Sequence, residues 1–321
     1  MKTSTDAGVV RQALNGPTMG TRYSAVFYAS GAIDLSEVQR DLRMAVERVD
    51  AQMSTWKPTS DLNRFNAALP GEWIEVPQEL LTVVEIALDV GMASGGTFEI
   101  GVGDAVDAWG FGASGGAPDP ARIAVSAGAR RPSFDLVELD QPRGRMRKSA
   151  PARLDLSGIA KGFGVDELGR ALERHGVASY LVSIDGEMRA RGLKPDGSGW
   201  AVGIERPDPT ARGVAGVVEL LDGAVATSGD YRHAIAWEGR NVSHTIDPAT
   251  GSPVENRLAS VTVLARECVQ ADAWATVLMV MGETNGPAFA RRNRMEALFL
   301  LRSSTQIEEM GTGGFDREPS G

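Results

Sequence analysis

The sequence predicts an α+β fold in which mixed sheets pack against helices. Apolar residues recur about every 3.6 positions from Leu35 to Met53, which predicts a helix capped by Asp34 or Ser36. A second helix is predicted over residues 78–92, where most sides are apolar. Short strands occur both in hairpins and between helices, so a strictly alternating doubly wound sheet fits less well.

The remaining elements follow from local patterns of apolar and turn-forming residues. Strands are predicted at residues 21–29, 180–184, 200–205, 217–221, 259–265 and 297–301, and near positions 225, 234 and 242. Further helices are predicted at residues 158–174 and 271–281. A hairpin is predicted from residues 134–139 and 145–148, after a long Gly-, Ala- and Pro-rich loop at residues 110–132.

We expect one folded domain with flexible terminal segments. Residues 16–302 are predicted to form a single domain of two interleaved α/β halves. Residues 1–15 and the polar, Gly-rich residues 303–321 are predicted to be flexible.

Composition and charge exclude several classes of protein. With 321 residues, 42% of them hydrophobic, the chain can bury a sizeable core, and its net charge of −9 disfavours nucleic acid as a partner. Cys268 is the only cysteine, which rules out an internal disulfide, a cysteine zinc site and a CxxC redox pair. Any metal is therefore expected to be hard and bound by oxygen. No apolar run is long enough for a signal peptide or a membrane span.

Residues 154–164 lie where a predicted strand passes into a helix, and they outline an anion-binding site. Ser157 can cap the helix, backbone N–H groups of the first turn can face a ligand, and Lys161 adds a positive charge. A capped turn with a solvated lysine explains these residues equally well. The spacing of a Walker A loop is absent, and residues 110–115 match GxGxxG without the helix that a dinucleotide site needs.

Asp272 and Thr276 are four residues apart near the start of a predicted helix and therefore share one face. A carboxylate and a hydroxyl placed in this way can hold a hard cation such as Mg²⁺ with open positions for a pyrophosphate. Taken alone, the residues favour a simpler explanation. An aspartate in the first turn favours the helix dipole, and a helical threonine often bonds its own backbone.

His244 is the best candidate for a general base. It lies in the turn at residues 243–251, at the end of a strand, where an imidazole can take a proton from an attacking hydroxyl. His175 precedes a helix-stopping glycine and is expected to serve that cap, whereas His233 has no clear partner in the sequence. A lone histidine is more often structural than catalytic, so the residues alone leave the role of His244 open.

The sequence contains one basic cluster. Its members alternate along a predicted hairpin strand, which favours a solvated face over a binding patch. They are Arg143, Arg145, Arg147 and Lys148.

Taken together, the motifs resemble those of the ApbE family, the Mg²⁺-dependent FAD:protein FMN transferases. Nine ordered blocks between Met19 and about Leu300 carry the resemblance, and their number and order make chance an unsatisfactory explanation. The blocks are residues 19–21, 53–56, 60–66, 97–100, 109–112, 155–162, 226–231, 243–251 and 271–276.

The resemblance assigns roles to individual residues. It implies that Asp272, Thr276 and the backbone carbonyl of Ala160 hold Mg²⁺, and that His244 activates the acceptor hydroxyl. It implies that a further set of residues lines the pocket for the flavin nucleotide. These are Met19, Trp56, Thr97, Phe98, Glu99, Ser157, Lys161, Ile246 and Asp247.

The implied reaction is the transfer of FMN from FAD to a Thr or Ser hydroxyl of a redox flavoprotein subunit, with release of AMP. Two alternatives remain open. An Mg²⁺-dependent FAD pyrophosphatase would transfer the same group to water, and the block around Asn66 is expected to influence that partition. A non-catalytic FAD-binding protein would perform neither reaction.

Two features depart from the family pattern. Members are commonly exported or lipid-anchored, whereas this chain shows neither a leader nor a lipid-attachment cysteine, so we expect a processed chain or a cytoplasmic member. Asp185 stands before Gly186 and Glu187 where a glycine is expected, a change that affects the flavin side of the pocket.

Overall fold

A computed structural model describes residues 8–113, 115–127, 131–207, 213–230, 234–237, 239–303 and 306–316. The α-helices are α1 (Leu35–Met53), α2 (Asp61–Ala67), α3 (Gln78–Ala93), α4 (Gly103–Ala108), α5 (Pro120–Ser126), α6 (Ser133–Leu136), α7 (Ala160–Arg174) and α8 (Cys268–Arg292). The strands are β1 (Val9–Thr18), β2 (Thr21–Ser30), β3 (Ile74–Glu75), β4 (Val137–Asp140), β5 (Arg145–Lys148), β6 (Ser179–Ile184), β7 (Glu187–Arg191), β8 (Trp200–Glu205), β9 (Val214–Leu220), β10 (Gly223–Gly229), β11 (Ala234–Trp237), β12 (Arg240–Ser243), β13 (Ile246–Asp247), β14 (Ser252–Pro253), β15 (Leu258–Ala265), β16 (Glu296–Arg302) and β17 (Ile307–Thr312).

One large sheet organises the molecule. Within the described residues its strand order is β1-β2-β6-β7-β10-β15-β16-β17, and every neighbouring pair is antiparallel. Smaller sheets are β3-β5-β4 and the pairs β8-β9, β11-β12 and β13-β14. The predicted α+β class is confirmed. Within the described residues the sheets themselves are antiparallel rather than mixed.

Side chains alternate between the two faces of this sheet, as the pleat of a strand requires. Tyr23 and Phe27 of β2 are fully buried against α1 and α7. Val26 and Tyr28, the alternate residues, face the β8-β9 hairpin, where the rings of Tyr28 and Trp200 lie 5.8 Å apart. Helices therefore cover one face of the sheet and a hairpin covers part of the other.

The predicted helices α1 and α3 are present with nearly the predicted bounds. The Asp34 side chain caps α1 by accepting hydrogen bonds from the N–H groups of Ser36 and Glu37. His175 is the C-cap residue of α7, as predicted, and its Nε2 lies 2.9 Å from Asp41 Oδ2 of α1. This imidazole therefore ties the end of α7 to α1.

Parts of the two terminal segments that were predicted to be flexible form strands of the main sheet. Residues 9–15 belong to β1, which pairs with β2 in continuous register, and residues 307–312 form β17, which pairs with β16. Both are outer strands of the sheet with many exposed side chains, so their sequences lack the apolar alternation that identifies a half-buried strand. Residues 1–7 and 317–321 lie outside the described residues.

Helix α8 is longer than the predicted helix at residues 271–281. It begins at Cys268, and Gly282, with a φ of 74°, interrupts it before it continues to Arg292. Val261, Leu278 and Phe299 are buried where α8 packs on β15 and β16. In the described part of the chain, no helix combines the length and apolarity needed to cross a membrane.

A buried ion pair anchors the start of α8. Asp166 of α7 is fully buried and accepts hydrogen bonds from the N–H groups of Cys268 and Val269, at 3.1 and 2.9 Å. Arg189 of β7 donates to the same carboxylate at 2.8 Å. One carboxylate thus fixes α7, α8 and β7 relative to one another.

We predict that Asp166→Ala lowers the free energy of unfolding by about 3–5 kcal/mol, because it leaves Arg189 without its buried partner and α8 without its cap. The surface N-cap change Asp34→Ala is the comparison, with an expected cost of about 1 kcal/mol. Urea unfolding followed by circular dichroism measures both. Equal losses in the two variants would show that Asp166 is no more than an ordinary cap.

Candidate active site

Two tight turns at one end of the main sheet border the candidate site. Met19 and Gly20 join β1 to β2, and Asp185 and Gly186 join β6 to β7. The Asp185 N–H donates to Arg22 O at 3.4 Å, so the two turns lie side by side. Met19 and Asp185 have φ angles of 46° and 54°, in the left-handed region that favours glycine. Asp185 therefore stands where a glycine would be free of backbone strain.

The beginning of α7 lies beside these turns. A β-carbon placed on Gly164 would lie 3.3 Å from the Met19 methyl carbon and 2.8 Å from Ile184 Cδ1. Both side chains therefore pack directly against the backbone of α7 at this glycine. The structure thus brings Met19, a predicted pocket residue, to the first turns of α7.

Ser157 does not cap α7, in contrast to the prediction. The helix begins at Ala160, and its N-cap residue Ile159 makes no side-chain cap. The Ser157 N–H donates to Asp155 Oδ1 at 2.7 Å, and the Ile159 N–H donates to Leu156 O at 3.0 Å. Residues 157–159 therefore belong to a tight turn, whereas the prediction started the helix at residue 158.

Helices α7 and α8 meet at Gly162. Its N–H donates to Asp272 Oδ2 at 2.8 Å, and Asp272 is almost completely buried. A β-carbon on Gly162 would lie 2.4 Å from Cys268 O and 2.7 Å from Asp272 Cβ, so only glycine permits this approach. The sequence suggested that the N–H groups of this turn face a ligand. One of them, that of Gly162, instead donates to Asp272.

Thr276 lies one turn further along α8, beside the turn that precedes α7. A β-carbon on Gly158 would lie 3.1 Å from Thr276 Oγ1 and 3.4 Å from a ring carbon of Phe98. Thr276 Oγ1 is also 3.2 Å from Ser228 Oγ of β10. Four of the nine sequence blocks therefore meet around Gly158.

The simpler roles considered for Asp272 and Thr276 do not describe their contacts. Asp272 is in the second turn of α8 and binds another helix, and Thr276 contacts a hydroxyl of β10. The described residues contain no group of three or more His, Cys, Asp or Glu side chains that could together hold a metal ion. One carboxylate with neutral oxygens suits Mg²⁺, which keeps several waters and seldom uses an all-protein cage.

Lys161 is surrounded by carboxylates. Its Nζ lies 2.7 Å from Glu187 Oε1 and 3.7 Å from Asp185 Oδ2. Burial lowers the pKa of Lys161, but the attraction of Glu187, Asp272 and Asp185 outweighs that effect, so its pKa is raised above the ordinary value. Lys161 is thus a charged member of a partly buried cluster rather than a fully solvated lysine, and its predicted role in binding phosphate stays a prediction.

Glu187 was not among the predicted site residues. It is only 2% exposed, and burial raises its pKa to about 7 despite the opposing effect of Lys161. Burial also raises the pKa of Asp272, again against the effect of Lys161. The only sequence signal for Glu187 was its place directly after Asp185 and Gly186, because a single strand residue carries no motif of its own.

His244 lies in a turn that the segment around Trp109 supports. Trp109 Nε1 donates to Gly251 O at 3.0 Å, and the rings of Phe111 and His244 are 6.4 Å apart in an edge arrangement. Ile246 packs in the same apolar cluster as Trp109. Asp247 closes the turn by accepting from the Ala249 N–H at 2.9 Å. The predicted residues of this block therefore form one supported turn.

The segment at residues 97–112 connects this turn to Gly158, since it carries Phe98 at one end and Phe111 at the other. Thr97 Oγ1 donates to Ser94 O at 3.0 Å. The Glu99 carboxylate accepts from the Ser133 hydroxyl and, at 2.9 Å, from the Ser133 N–H. Glu99 therefore fixes this segment through its carboxylate, and its predicted role in the pocket stays a prediction.

Trp56 is a large exposed side chain, with 64% of its surface accessible, in the loop that follows α1. Asn63 pins this loop by donating to Thr55 O and Lys57 O, both at 2.9 Å. The Asn66 side chain donates to Leu154 O at 2.9 Å and accepts from the Leu154 N–H at 2.8 Å. The block at residues 60–66 therefore supports two predicted parts of the site.

Three other predictions concern neighbouring segments. Ser114, of the rejected GxGxxG match, and the residues Tyr231 and His233 lie outside the described residues. The basic cluster is not a uniform solvated face, because Lys148 is buried and its Nζ donates to Asn66 O and Ala152 O. At the buried end of β5, these two carbonyl groups take the place of water as acceptors for the Lys148 ammonium.

Comparison with known proteins places this arrangement in a family. The model of the ApbE family matches residues 19–299. An FAD:protein FMN transferase of Vibrio cholerae is 38% identical over 304 residues, which cover 94% of this chain and 91% of the relative. A protein of the same name from Salmonella typhimurium is 33% identical over 308 residues, covering 93% and 87%.

Solved structures agree with the sequence comparison. The flavin transferase ApbE from Vibrio cholerae has a TM-score of 0.84 at 35% identity, covering 96% of this chain and 99% of that one. The apo form of the Pseudomonas stutzeri flavinyl transferase ApbE has a TM-score of 0.84 at 34% identity, covering 95% of each chain. The fold is thus that of the flavin transferases. This chain belongs to the ApbE family, which confirms the resemblance found in the nine blocks.

We predict a pH-dependent difference in stability between the wild type and Glu187→Gln. Because the pKa of Glu187 is about 7 in the folded protein and ordinarily 4.5, the folded protein holds a proton that the unfolded chain releases within this interval. The unfolded state then binds fewer protons, so the wild type loses stability relative to Glu187→Gln as the pH rises through this interval, and the difference is constant above it.

Urea unfolding at pH values that bracket the interval measures this difference. Lys161 remains charged throughout and serves both proteins equally. Parallel stability curves for the two proteins would contradict a raised pKa of Glu187.

Proposed function

We propose that this protein transfers FMN from FAD to a hydroxyl of a target flavoprotein and releases AMP. The observation that carries the proposal is the junction of α7 and α8, which collects a carboxylate, a hydroxyl and an ammonium in a protein of the ApbE family. Its relatives named FAD:protein FMN transferase match over nine-tenths of this chain.

Asp272, Thr276 and the Ala160 carbonyl would hold Mg²⁺. The donor chemistry supports this assignment, because carboxylate, hydroxyl and carbonyl oxygens are hard ligands and Asp272 is buried beside the start of α7. When bound, Mg²⁺ supplies positive charge to the phosphate oxygens of FAD. The ammonium of Lys161 and the positive end of the α7 dipole add to that charge.

His244 takes the proton of the acceptor hydroxyl in this proposal. The hydroxyl oxygen forms a bond to the phosphorus on the FMN side, and the bond from that phosphorus to the bridging oxygen breaks. The bridging oxygen leaves with the electron pair as part of AMP. The edge contact with Phe111 and the turn closed by Asp247 restrict the movement of the imidazole, which favours proton transfer from a fixed direction.

The flavin nucleotide would lie between the supported turns. We assign its contacts to the predicted pocket residues, of which Met19 and Phe98 lie against the α7 and Gly158 turns, Ile246 and Asp247 lie in the His244 turn, and Trp56 offers an exposed aromatic surface. Thr97, Glu99 and Ser157 complete the set. The acceptor would be a Thr or Ser in a short motif of a flavin-carrying redox subunit.

We predict that His244→Ala lowers the rate of FMN transfer by about 10²–10⁴-fold, because the acceptor hydroxyl loses its base. The assay incubates the protein with FAD, Mg²⁺ and a candidate acceptor subunit, and mass spectrometry detects the FMN adduct. His175→Ala is the matched control, since its imidazole binds Asp41 at the other end of α7.

The same assay distinguishes the alternatives. AMP release that is equally fast with and without the acceptor would identify a pyrophosphatase. Binding of FAD with neither AMP release nor an adduct, in the presence of a competent acceptor, would identify a binding protein and contradict the proposed transfer.

We predict that Asp272→Asn lowers the transfer rate about 10²-fold or more at a fixed Mg²⁺ concentration, because the site loses the charge that attracts the metal. Excess Mg²⁺ should restore part of the activity. Asp196→Asn, in an exposed loop, is the control. An unchanged Mg²⁺ dependence in Asp272→Asn would remove this residue from the metal site.

A further inference from the structure

Glu187 is a buried acidic residue to which the proposed reaction gives no role. It begins β7 directly after the Asp185 turn, and only 2% of its surface is exposed. Its Oε1 accepts the hydrogen bond from Lys161 Nζ at 2.7 Å. Its Oε2 is buried and, within the described residues, has no hydrogen-bond partner. A buried carboxylate with an unsatisfied oxygen is costly, so packing alone does not account for it.

The Glu187 carboxylate contacts Lys161, which lies close to the proposed metal ligands along the chain. Lys161 immediately precedes Gly162, whose N–H binds Asp272, and Asp272 attracts the same ammonium. A lysine has a flexible four-carbon stem and strong donors, so it can pair with whichever carboxylate is nearest. In the structure it pairs with Glu187 on β7, and the ammonium is directed toward the sheet.

We propose that Glu187 is a positioning residue that holds the Lys161 ammonium away from Asp272 and thereby leaves the Asp272 carboxylate free for a divalent cation. This inference rests on the proposed metal role of Asp272. Without Glu187, Asp272 is the other buried carboxylate that attracts Lys161, and an ammonium paired with that carboxylate competes with Mg²⁺. Asp185, which is 3.7 Å away and partly exposed, is a weaker holding partner.

Long-range charge offers a different explanation for the same dependence. Any carboxylate near Asp272 raises the local affinity for a cation, whether or not it positions Lys161. The two explanations differ in what they require of Lys161. Competition needs the ammonium, whereas long-range attraction does not.

A double-mutant cycle with Mn²⁺ as the probe separates them, because free Mn²⁺ can be counted by electron paramagnetic resonance without any turnover. We expect Glu187→Ala to weaken Mn²⁺ binding about tenfold, a coupling within the range for residues in contact. Glu187→Gln, which keeps an acceptor oxygen for Lys161, should lose less. In the Lys161→Met background, Glu187→Ala should have little effect.

Glu173→Gln is the matched control, since Glu173 also bridges α7 to β7, through Arg191 at 2.7 Å, but at the far end of the helix. Circular dichroism verifies that each variant is folded, and Glu187→Gln keeps the test decisive if Glu187→Ala does not fold. Equal weakening by Glu187→Ala in both Lys161 backgrounds would overturn the positioning role. Mn²⁺ binding that Asp272→Asn leaves unchanged would instead refute the proposed metal site itself.

Discussion

The contact of Gly162 with Asp272 is the constraint on which the rest of the site depends. It joins the first turn of α7 to the second turn of α8 with a hydrogen bond of 2.8 Å, at a distance that no side chain on Gly162 would permit. Because α7 and α8 both pack on the main sheet, this approach also fixes Gly158, Lys161 and Thr276 relative to the strands. The close approach of the α7 backbone to α8 therefore sets the relative positions of the side chains to which we assign the reaction.

The charges at this junction are unequal. Three carboxylates, those of Asp185, Glu187 and Asp272, attract the single ammonium of Lys161. Burial disfavours the ionised form of Glu187 and Asp272, because one ammonium does not offset the cost of removing both carboxylates from water. A site with this imbalance gains from a further cation, and it would repel a polyphosphate that arrived without one. Metal and nucleotide binding are thus expected to support each other.

Much of the fold was predictable because it depends on local patterns. The apolar period of α1 and the spacing of Asp272 and Thr276 identified elements and a shared helix face from nearby residues alone. The outer strands β1 and β17 were missed because exposed edges carry little apolar alternation. Ser157 was misjudged because a turn displaced the start of α7. The partners of Asp272, Lys161 and Glu187 come from distant parts of the chain, and no local pattern encodes such contacts.

The left-handed backbone of Met19 and Asp185 has a thermodynamic consequence for ligand binding. Each residue adopts a conformation that costs on the order of 1 kcal/mol or more for a side chain other than glycine, and antiparallel pairing on both sides keeps it there. This conformational cost is already included in the free energy of folding. A nucleotide that enters beside these turns therefore meets walls that are already ordered, and less of its binding energy is consumed in reducing the entropy of the protein.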